Sequence, residues 1–150
     1  MTVKISIIVP AFNEAKRISS CIQSIRGAVA ANLQPGHETE LIVVDNNSRD
    51  STAEIAAREG ARVVFEPINQ ISRARNAGAR AATGDWLLFI DADSQLNAGS
   101  FRGVLQAIGS GTCAGGGSVI RLDAAPWRGR LLIAFWNPMS VVFTKLIRRV

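Results

Sequence analysis

The 150-residue sequence holds two cysteines and one histidine, too few for a disulfide scaffold or a site built from thiolates and imidazoles. Cys21 falls in an apolar helical stripe, so we predict a packed thiol there, and Cys113 completes no recognisable pattern. No signal-peptide pattern opens the chain, and its apolar runs are shorter than the roughly 20 residues that span a bilayer. We therefore expect a cytoplasmic protein.

Glycine is absent where many nucleotide-binding folds require it. The segment after the first predicted strand, residues 10–14, reads Pro-Ala-Phe-Asn-Glu and offers no G-x-G-x-x-G turn to approach a pyrophosphate. No G-x-x-x-x-G-K-[ST] sequence occurs either. These absences argue against a nicotinamide-dependent enzyme and a P-loop nucleotidase. Phosphate groups would have to be held by other means.

The basic excess of the chain is confined to its C-terminal end. The net charge is +5, and residues 121–150 supply all of it, with six basic side chains against Asp123 alone. Apolar runs at 131–136 and 139–143 lie between these charges. They suit either an interfacial segment on anionic lipid or a core-facing helix pair with solvated basic ends. We predict peripheral contact with the inner membrane face through 127–150, and no nucleic-acid partner.

Hydrophobic periodicity predicts alternating strands and helices. The predicted strands are 3–9, 41–44, 62–66 and 86–90, with helices at 14–31, 51–60, 72–82 and 100–108 and a further strand at 112–122. The five bulky apolar residues at 86–90 are typical of a strand buried on both faces. The alternation predicts an α/β fold with a doubly wound, mainly parallel sheet. We assign 1–122 to this domain and 123–150 to a separate basic and apolar segment.

Acidic and amide side chains follow three of the four clearest strands. Asn13 and Glu14 come after the first, Asp45 after the second, and Asp91 and Asp93 after the fourth. Parallel strands bring their carboxyl ends to one edge of the sheet, where ligands bind. Two carboxylates at the mouth of a core strand favour a divalent cation that bridges phosphates, although a strand-ending turn also favours aspartate. Asp45 suits either a base or ribose contact or a helix-entry carboxylate.

Four motifs carry a resemblance to a known family. They are SIIVPAFNE at 6–14, IVVDNNSRDST at 42–52, ARNAG to ATGD at 74–85 and FIDAD at 89–93. In this order and spacing they resemble the family-2 glycosyltransferases of the GT-A fold, over residues 3–97. Asn46 and Asn47 stand where the family often has Asp-Gly, which leaves the contacts of that loop open.

The resemblance implies a nucleotide-diphospho-sugar donor, a UDP- or GDP-sugar, and a Mn²⁺ or Mg²⁺ cofactor. The positions that it implies for the nucleotide-sugar are Pro10, Ala11, Phe12, Glu14, Val44, Asp45, Arg75, Asn76, Asp91, Ala92 and Asp93. The positions that it implies for the metal are Asp91, Asp93 and Gln95. The implied reaction is inverting transfer of the sugar to an acceptor saccharide or lipid.

The sequence identifies no general base for that reaction. After Asp93 the only acidic residue is Asp123, and His37 lies in a predicted solvated loop. We expect the base in an acceptor half that this chain does not reach, with 123–150 as the start of that half. Gln95 completes an Asp-Ala-Asp-Ser-Gln sequence that resembles the metal motif of polyprenyl-phosphate sugar synthases, whose anionic acceptor needs no base.

Two alternatives to a complete sugar transferase stay open. The first is a non-catalytic nucleotide-sugar-binding module or an inactive fragment, which the missing base favours. The second is a sugar-phosphate nucleotidyltransferase, which would share the sheet and a metal-binding aspartate. Enzymes of that class usually carry a glycine-rich basic loop after the first strand, and residues 10–14 offer none.

Overall fold

The computed structural model describes residues 3–32, 34–112 and 114–117, which form alternating strands and helices. The elements are β1 (Val3–Ala11), α1 (Ile18–Ala30), β2 (His37–Asp45), α2 (Thr52–Arg58), β3 (Arg62–Phe65), α3 (Ile71–Ala81), β4 (Trp86–Phe89) and α4 (Ala98–Gly109). The chain divides into two compact units between Arg102 and Gly103, and the sheet belongs to the first. Most of the predicted strand at 112–122, and all of 123–150, lie outside the described residues.

The four strands form one sheet in the order β3-β2-β1-β4, and every pair is parallel. The prediction of a doubly wound parallel α/β fold is therefore confirmed. β1 is central: Ala11 pairs with Asp45 at the end of β2, and Ile8 pairs with Phe89 at the end of β4. The chain steps outward from β1 to β3 and then returns to the other side of β1. Right-handed crossovers therefore place α3 on the opposite face from α1 and α2.

Helix α3 covers its face of the sheet by close packing of small residues. Ala74 and Ala77 meet Ile8, Ile42 and Val44 in a buried cluster. A β-carbon added at Gly78 would collide with the side chain of Ile8. The alanine-rich composition of this helix follows from that close approach, because larger side chains would hold the helix off the sheet.

Proline does not end the first strand. β1 continues past its predicted end at Val9, so that Pro10 lies inside it. The carbonyl of Ile8 accepts the amide of Ile90 at 3.0 Å, and strand alternation turns the backbone of Pro10 toward the same side. β4 has already ended there, because its last residue, Phe89, lies opposite Ile8. The missing N–H of Pro10 therefore removes no ladder hydrogen bond.

The prediction that strand 86–90 is buried on both faces is wrong. Leu87 is 44% exposed and Phe89 40% exposed. They pair with Ser6 and Ile8 and so lie on the sheet face that α3 covers over the other three strands. Among the described residues β4 is an edge strand, and α3 lies beside it rather than over it. An apolar run alone does not separate a central strand from such an edge.

Three local boundaries also differ from prediction. His37 is the half-buried first residue of β2 rather than part of a solvated loop. Helix α1 begins at Ile18 instead of Glu14, because a turn comes first. Helix α2 spans Thr52–Arg58 and so is shorter at both ends than the predicted 51–60, and Asp50 accepts its first free amide.

In the described part of the chain, no helix combines the length and the apolar character needed to cross a bilayer.

A buried hydroxyl links three segments near the middle of the sheet. Ser6 donates its hydroxyl to Glu40 Oε1 at 2.6 Å and accepts the amide of Gly84 at 2.8 Å. The same Glu40 oxygen accepts the amide and the hydroxyl of Thr83. Burial opposes ionisation, but the hydrogen bonds from Ser6 and Thr83 outweigh it and lower the pKa of Glu40 below its usual 4.5.

This cluster predicts an acid-labile contribution to stability. Because folding lowers the pKa of Glu40, its contribution is complete above pH 4.5 and is lost as the pH falls through the folded-state value. Between pH 6 and pH 3 the urea midpoint of wild type is expected to fall. That of the Glu40→Gln variant is expected to fall by less, because glutamine cannot be protonated. Glu38→Gln, at an exposed position of the same strand, is the matched control. Equal pH slopes for wild type and Glu40→Gln would contradict this account.

Candidate functional site

A cleft of about 300 Å³ opens at the carboxyl ends of β1 and β4. Its walls come from three places: the end of β1, the start of α3 and the segment after β4. The lining residues are Pro10, Phe12, Glu14, Ile71, Arg75, Asp91, Ala92 and Asp93. All of these except Ile71 are among the positions implied by the sequence motifs. The topology thus brings together residues up to 83 positions apart in the chain, from Pro10 to Asp93.

The other predicted positions lie beside the cleft or away from its walls. Ala11 and Val44 are buried strand residues. Asp45 is 6% exposed and ends β2 directly opposite Ala11, so it flanks the cleft from the β2 side. Asn76 on α3 and Gln95 after β4 are exposed, and neither lines the cleft.

The carboxylates of the cleft differ in their partners. Asp91 Oδ1 accepts a hydrogen bond from the Arg75 guanidinium at 2.9 Å, and both side chains are about half exposed. Asp93 is also exposed, with the hydroxyl of Ser94 at 3.4 Å from its Oδ1. The Asp91 carboxylate is therefore already paired with the Arg75 guanidinium, while the Asp93 carboxylate faces solvent. An exposed pair such as Arg75 and Asp91 adds little stability, so a ligand can reorganise it at small cost.

The donor set suits a hard divalent cation only if a ligand completes it. No group of three or more histidine, cysteine, aspartate or glutamate side chains is placed to hold a metal within residues 3–32, 34–112 and 114–117. Mg²⁺, however, commonly binds through one or two carboxylates together with substrate phosphates and water. Asp91 and Asp93 supply those carboxylate oxygens at one wall of the cleft. The residues present therefore fit a cation shared with a phosphate ligand.

A buried thiol lies next to the backbone of Asp91. Cys21 is 1% exposed, and its Sγ lies 3.8 Å from the carbonyl oxygen of Asp91. Burial, followed by the charges of Asp93, Asp91 and Glu14, raises the pKa of Cys21 to about 11. The thiol therefore stays neutral at physiological pH, and the predicted packed role is confirmed.

The loop after β1 has its amides occupied by side chains of the β2–α2 loop. Asn13 N donates to Ser48 Oγ at 3.0 Å, Glu14 N to Thr52 Oγ1 at 2.8 Å and Ala15 N to Asp50 Oδ2 at 3.1 Å. In folds with a glycine-rich turn, the corresponding amides point at a phosphate. Here they hold two loops together instead. The missing glycine motif therefore goes together with loop amides that are not free to bind an anion.

A second anchor fixes the start of α3. Asn46 is 3% exposed; its Nδ2 donates to the carbonyl of Ile68 at 3.3 Å, and its Oδ1 accepts the amide of Gln70 at 3.1 Å. These bonds place Ile71, which is 55% exposed, at the cleft wall. Sequence reasoning missed Ile71. The available signal was a large apolar residue at the start of a basic helix, followed by small residues that face the core.

The fold and the cleft define a class: an α/β domain with an acidic cleft at the carboxyl ends of parallel strands. The sequence matches the glycosyl transferase family 2 model over residues 6–148, and the chain belongs to that family. An uncharacterized glycosyltransferase of Mycobacterium tuberculosis is 36% identical over 107 residues, which cover 71% of this chain and 44% of the relative. The chain thus spans less than half the length of this relative.

Solved structures of two other proteins resemble the fold of this chain. Staphylococcus aureus TarS 1-349, crystallised with UDP-GlcNAc, matches with a TM-score of 0.61 and 28% identity, covering 71% of this chain and 31% of the TarS 1-349 chain. Glucosyl-3-phosphoglycerate synthase from Mycobacterium tuberculosis, crystallised with Mn²⁺, UDP and glucosyl-3-phosphoglycerate, matches with a TM-score of 0.51 and 36% identity. That match covers 60% of this chain and 33% of the synthase.

Proposed function

We propose that this chain binds the donor of a glycosyltransferase, a nucleotide-diphospho-sugar held together with a divalent cation. The observation that carries the proposal is the cleft itself, where Asp91 and Asp93 face Phe12, Glu14 and Arg75. The family membership and the UDP complexes of its structural neighbours support the same donor class.

The cleft residues fall into two groups, one suited to the base and ribose of the donor and one suited to its diphosphate. Phe12, 42% exposed, offers an aromatic surface for the base, with Glu14 and the buried Asp45 as acceptors for base or ribose donors. Arg75 offers a guanidinium fork for the diphosphate. Because Arg75 already balances Asp91, the charge of Asp93 would repel a diphosphate at this wall. We infer that donor binding requires a further positive charge.

A divalent cation would supply that charge. Asp93 and Asp91 would hold it, with the exposed Gln95 two residues further on as an additional oxygen donor. Mn²⁺ or Mg²⁺, when bound, neutralises the charge that develops on the departing nucleoside diphosphate. Arg75 would contact the diphosphate and orient the donor. The cleft residues thus bind and align the leaving group.

We propose that the whole protein transfers the sugar with inversion. The acceptor oxygen attacks the anomeric carbon as the bond to the diphosphate breaks, and the acceptor proton passes to a base. The described residues after Asp93 include no acidic side chain, so none of them can act as that base. An acceptor that is already anionic, such as a lipid phosphate, would need none. The apolar and basic residues at 127–150 would suit such an acceptor at a membrane surface.

Calorimetric titration of the chain with UDP and GDP, with and without MnCl₂, tests donor binding. We expect one of the two nucleotides to bind in the presence of Mn²⁺ and to lose at least about tenfold in affinity without it, because Asp93 repels an unshielded diphosphate. The corresponding monophosphates serve as controls and should show little metal dependence. Equal affinity with and without the metal would overturn the assignment of a cation to this cleft.

A non-catalytic nucleotide-sugar-binding module remains the second candidate, because the chain carries so few acidic residues after Asp93. Turnover separates the two. Metal-dependent nucleotide binding, without donor hydrolysis or transfer to sugar and lipid-phosphate acceptors, would favour the module.

A further inference from the structure

Asp50 lies outside the cleft, yet its carboxylate is fully engaged. It is an exposed residue of the loop between β2 and α2. Its Oδ1 accepts the amide of Thr52 at 3.0 Å and also the Thr52 hydroxyl. Its Oδ2 accepts the amide of Ala15 at 3.1 Å, across to the loop after β1. One surface carboxylate therefore joins two loops that the sequence separates by 35 residues.

Thr52 extends this connection to the next residue of the β1–α1 loop. Its side chain is fully buried, and its single hydroxyl proton is used toward Asp50. The hydroxyl oxygen then presents a lone pair to the amide of Glu14, which it accepts at 2.8 Å. Asp50 thus fixes two consecutive amides, that of Ala15 directly and that of Glu14 through Thr52.

The loop held in this way carries the nucleotide end of the cleft. Asn13 adopts a left-handed conformation, with φ 54°, that costs free energy for a non-glycine residue and needs support from its surroundings. Phe12 on one side of it and Glu14 on the other both line the cleft. The hydrogen bond from Thr52, followed by those from backbone amides, lowers the pKa of Asp50 and keeps it an ionised acceptor.

We propose that Asp50 is a positioning residue for donor binding, which acts through Thr52 and the 13–15 backbone to aim Phe12 and Glu14 into the cleft. The inference rests on the proposed donor function and adds a residue that does not itself touch the donor. An amide at position 50 offers only one acceptor oxygen, so Asp50→Asn cannot serve both Thr52 and Ala15. A valine at position 52 keeps the shape of threonine but loses the hydroxyl.

The test compares Asp50→Asn and Thr52→Val with two matched controls. Thr52→Ser keeps the hydroxyl, and Glu54→Gln removes an exposed carboxylate from the first turn of α2. The probes are UDP and GDP titrated in MnCl₂ at a temperature well below every melting point. We expect Asp50→Asn and Thr52→Val to lose about tenfold in affinity for the nucleotide that wild type binds, while both controls stay within about twofold.

Amide hydrogen exchange provides a readout that needs no ligand. Protection of the Glu14 and Ala15 amides is expected to fall at least about tenfold in Asp50→Asn, whereas that of Ile8 in the sheet stays unchanged. A purely structural role would lower the melting temperature and leave nucleotide affinity unchanged, which would overturn the inference. Where Asp50→Asn does not fold, equal affinities of Thr52→Val and Thr52→Ser would overturn it. Failure of wild type to bind either nucleotide would instead overturn the proposed function.

Discussion

Replacing Asp93 by asparagine is expected to weaken manganese-dependent nucleotide binding by roughly 100-fold, the upper end of what a lost charge-assisted contact costs. Asparagine keeps the shape of the side chain but removes the negative charge. Asp91 compensates for only part of that loss, because one of its two oxygens already accepts the guanidinium of Arg75 at 2.9 Å. Calorimetry with UDP and GDP in MnCl₂ measures the effect directly.

The same variant should fold as well as wild type. Asp93 is exposed, and Ser94 Oγ approaches it only at 3.4 Å, so the melting temperature of the free chain is expected to change by less than about 2 °C. Glu54→Gln, which removes an exposed carboxylate that does not line the cleft, provides the charge-matched control. Binding by Asp93→Asn that equals wild type and no longer responds to the metal would refute Asp93 as a ligand.

The sheet and the rim of the site follow from local sequence patterns. Apolar runs mark the strands, and a parallel sheet must collect the residues after each strand at one edge. Glu14, Asp91 and Asp93 can therefore be assigned to one place from the sequence, whereas Phe12 is implied only by the family resemblance.

Residues that act across loops could not be predicted in the same way. Asp50 is one example, because the local pattern carries no sign that its partner is Ala15. Likewise, the exposure of Leu87 depends on how far α3 reaches over the sheet, which only the packed structure defines. Such properties depend on tertiary contacts rather than on local propensity or period.

Two asparagines adopt left-handed backbone conformations in the loops beside this site. Asn13 and Asn47 have φ of 54° and 64°, which asparagine tolerates better than most side chains. At position 13 the side chain has a use that glycine lacks, since its Oδ1 accepts the amide of Arg49 at 2.8 Å. The loop thus gains a cross-link to the β2–α2 segment, and it gives up the bare backbone that a phosphate turn needs.

Gly84→Ala is expected to destabilise the fold by about 2–3 kcal/mol, and so to lower the melting temperature by about 5–10 °C. A β-carbon at position 84 would lie 2.7 Å from the amide nitrogen of Ser6 and 2.8 Å from the carbonyl oxygen of Lys4. Both are backbone atoms of the central strand, so they cannot move aside as a flexible side chain would. The substitution would also disturb the hydrogen bond from Gly84 N to the Ser6 hydroxyl.

Gly27→Ala isolates that collision from the general effect of replacing glycine. Gly27 lies inside α1, where an added β-carbon meets no atom within 4 Å. Alanine there should raise stability by about 0.5–1 kcal/mol, because it lowers the entropy of the unfolded chain and favours the helix. Opposite shifts in urea midpoint for the two variants would show that the α3–β4 turn is pressed against β1. A neutral Gly84→Ala would mean that this turn is free to move away, and that the Ser6–Glu40 cluster does not hold it.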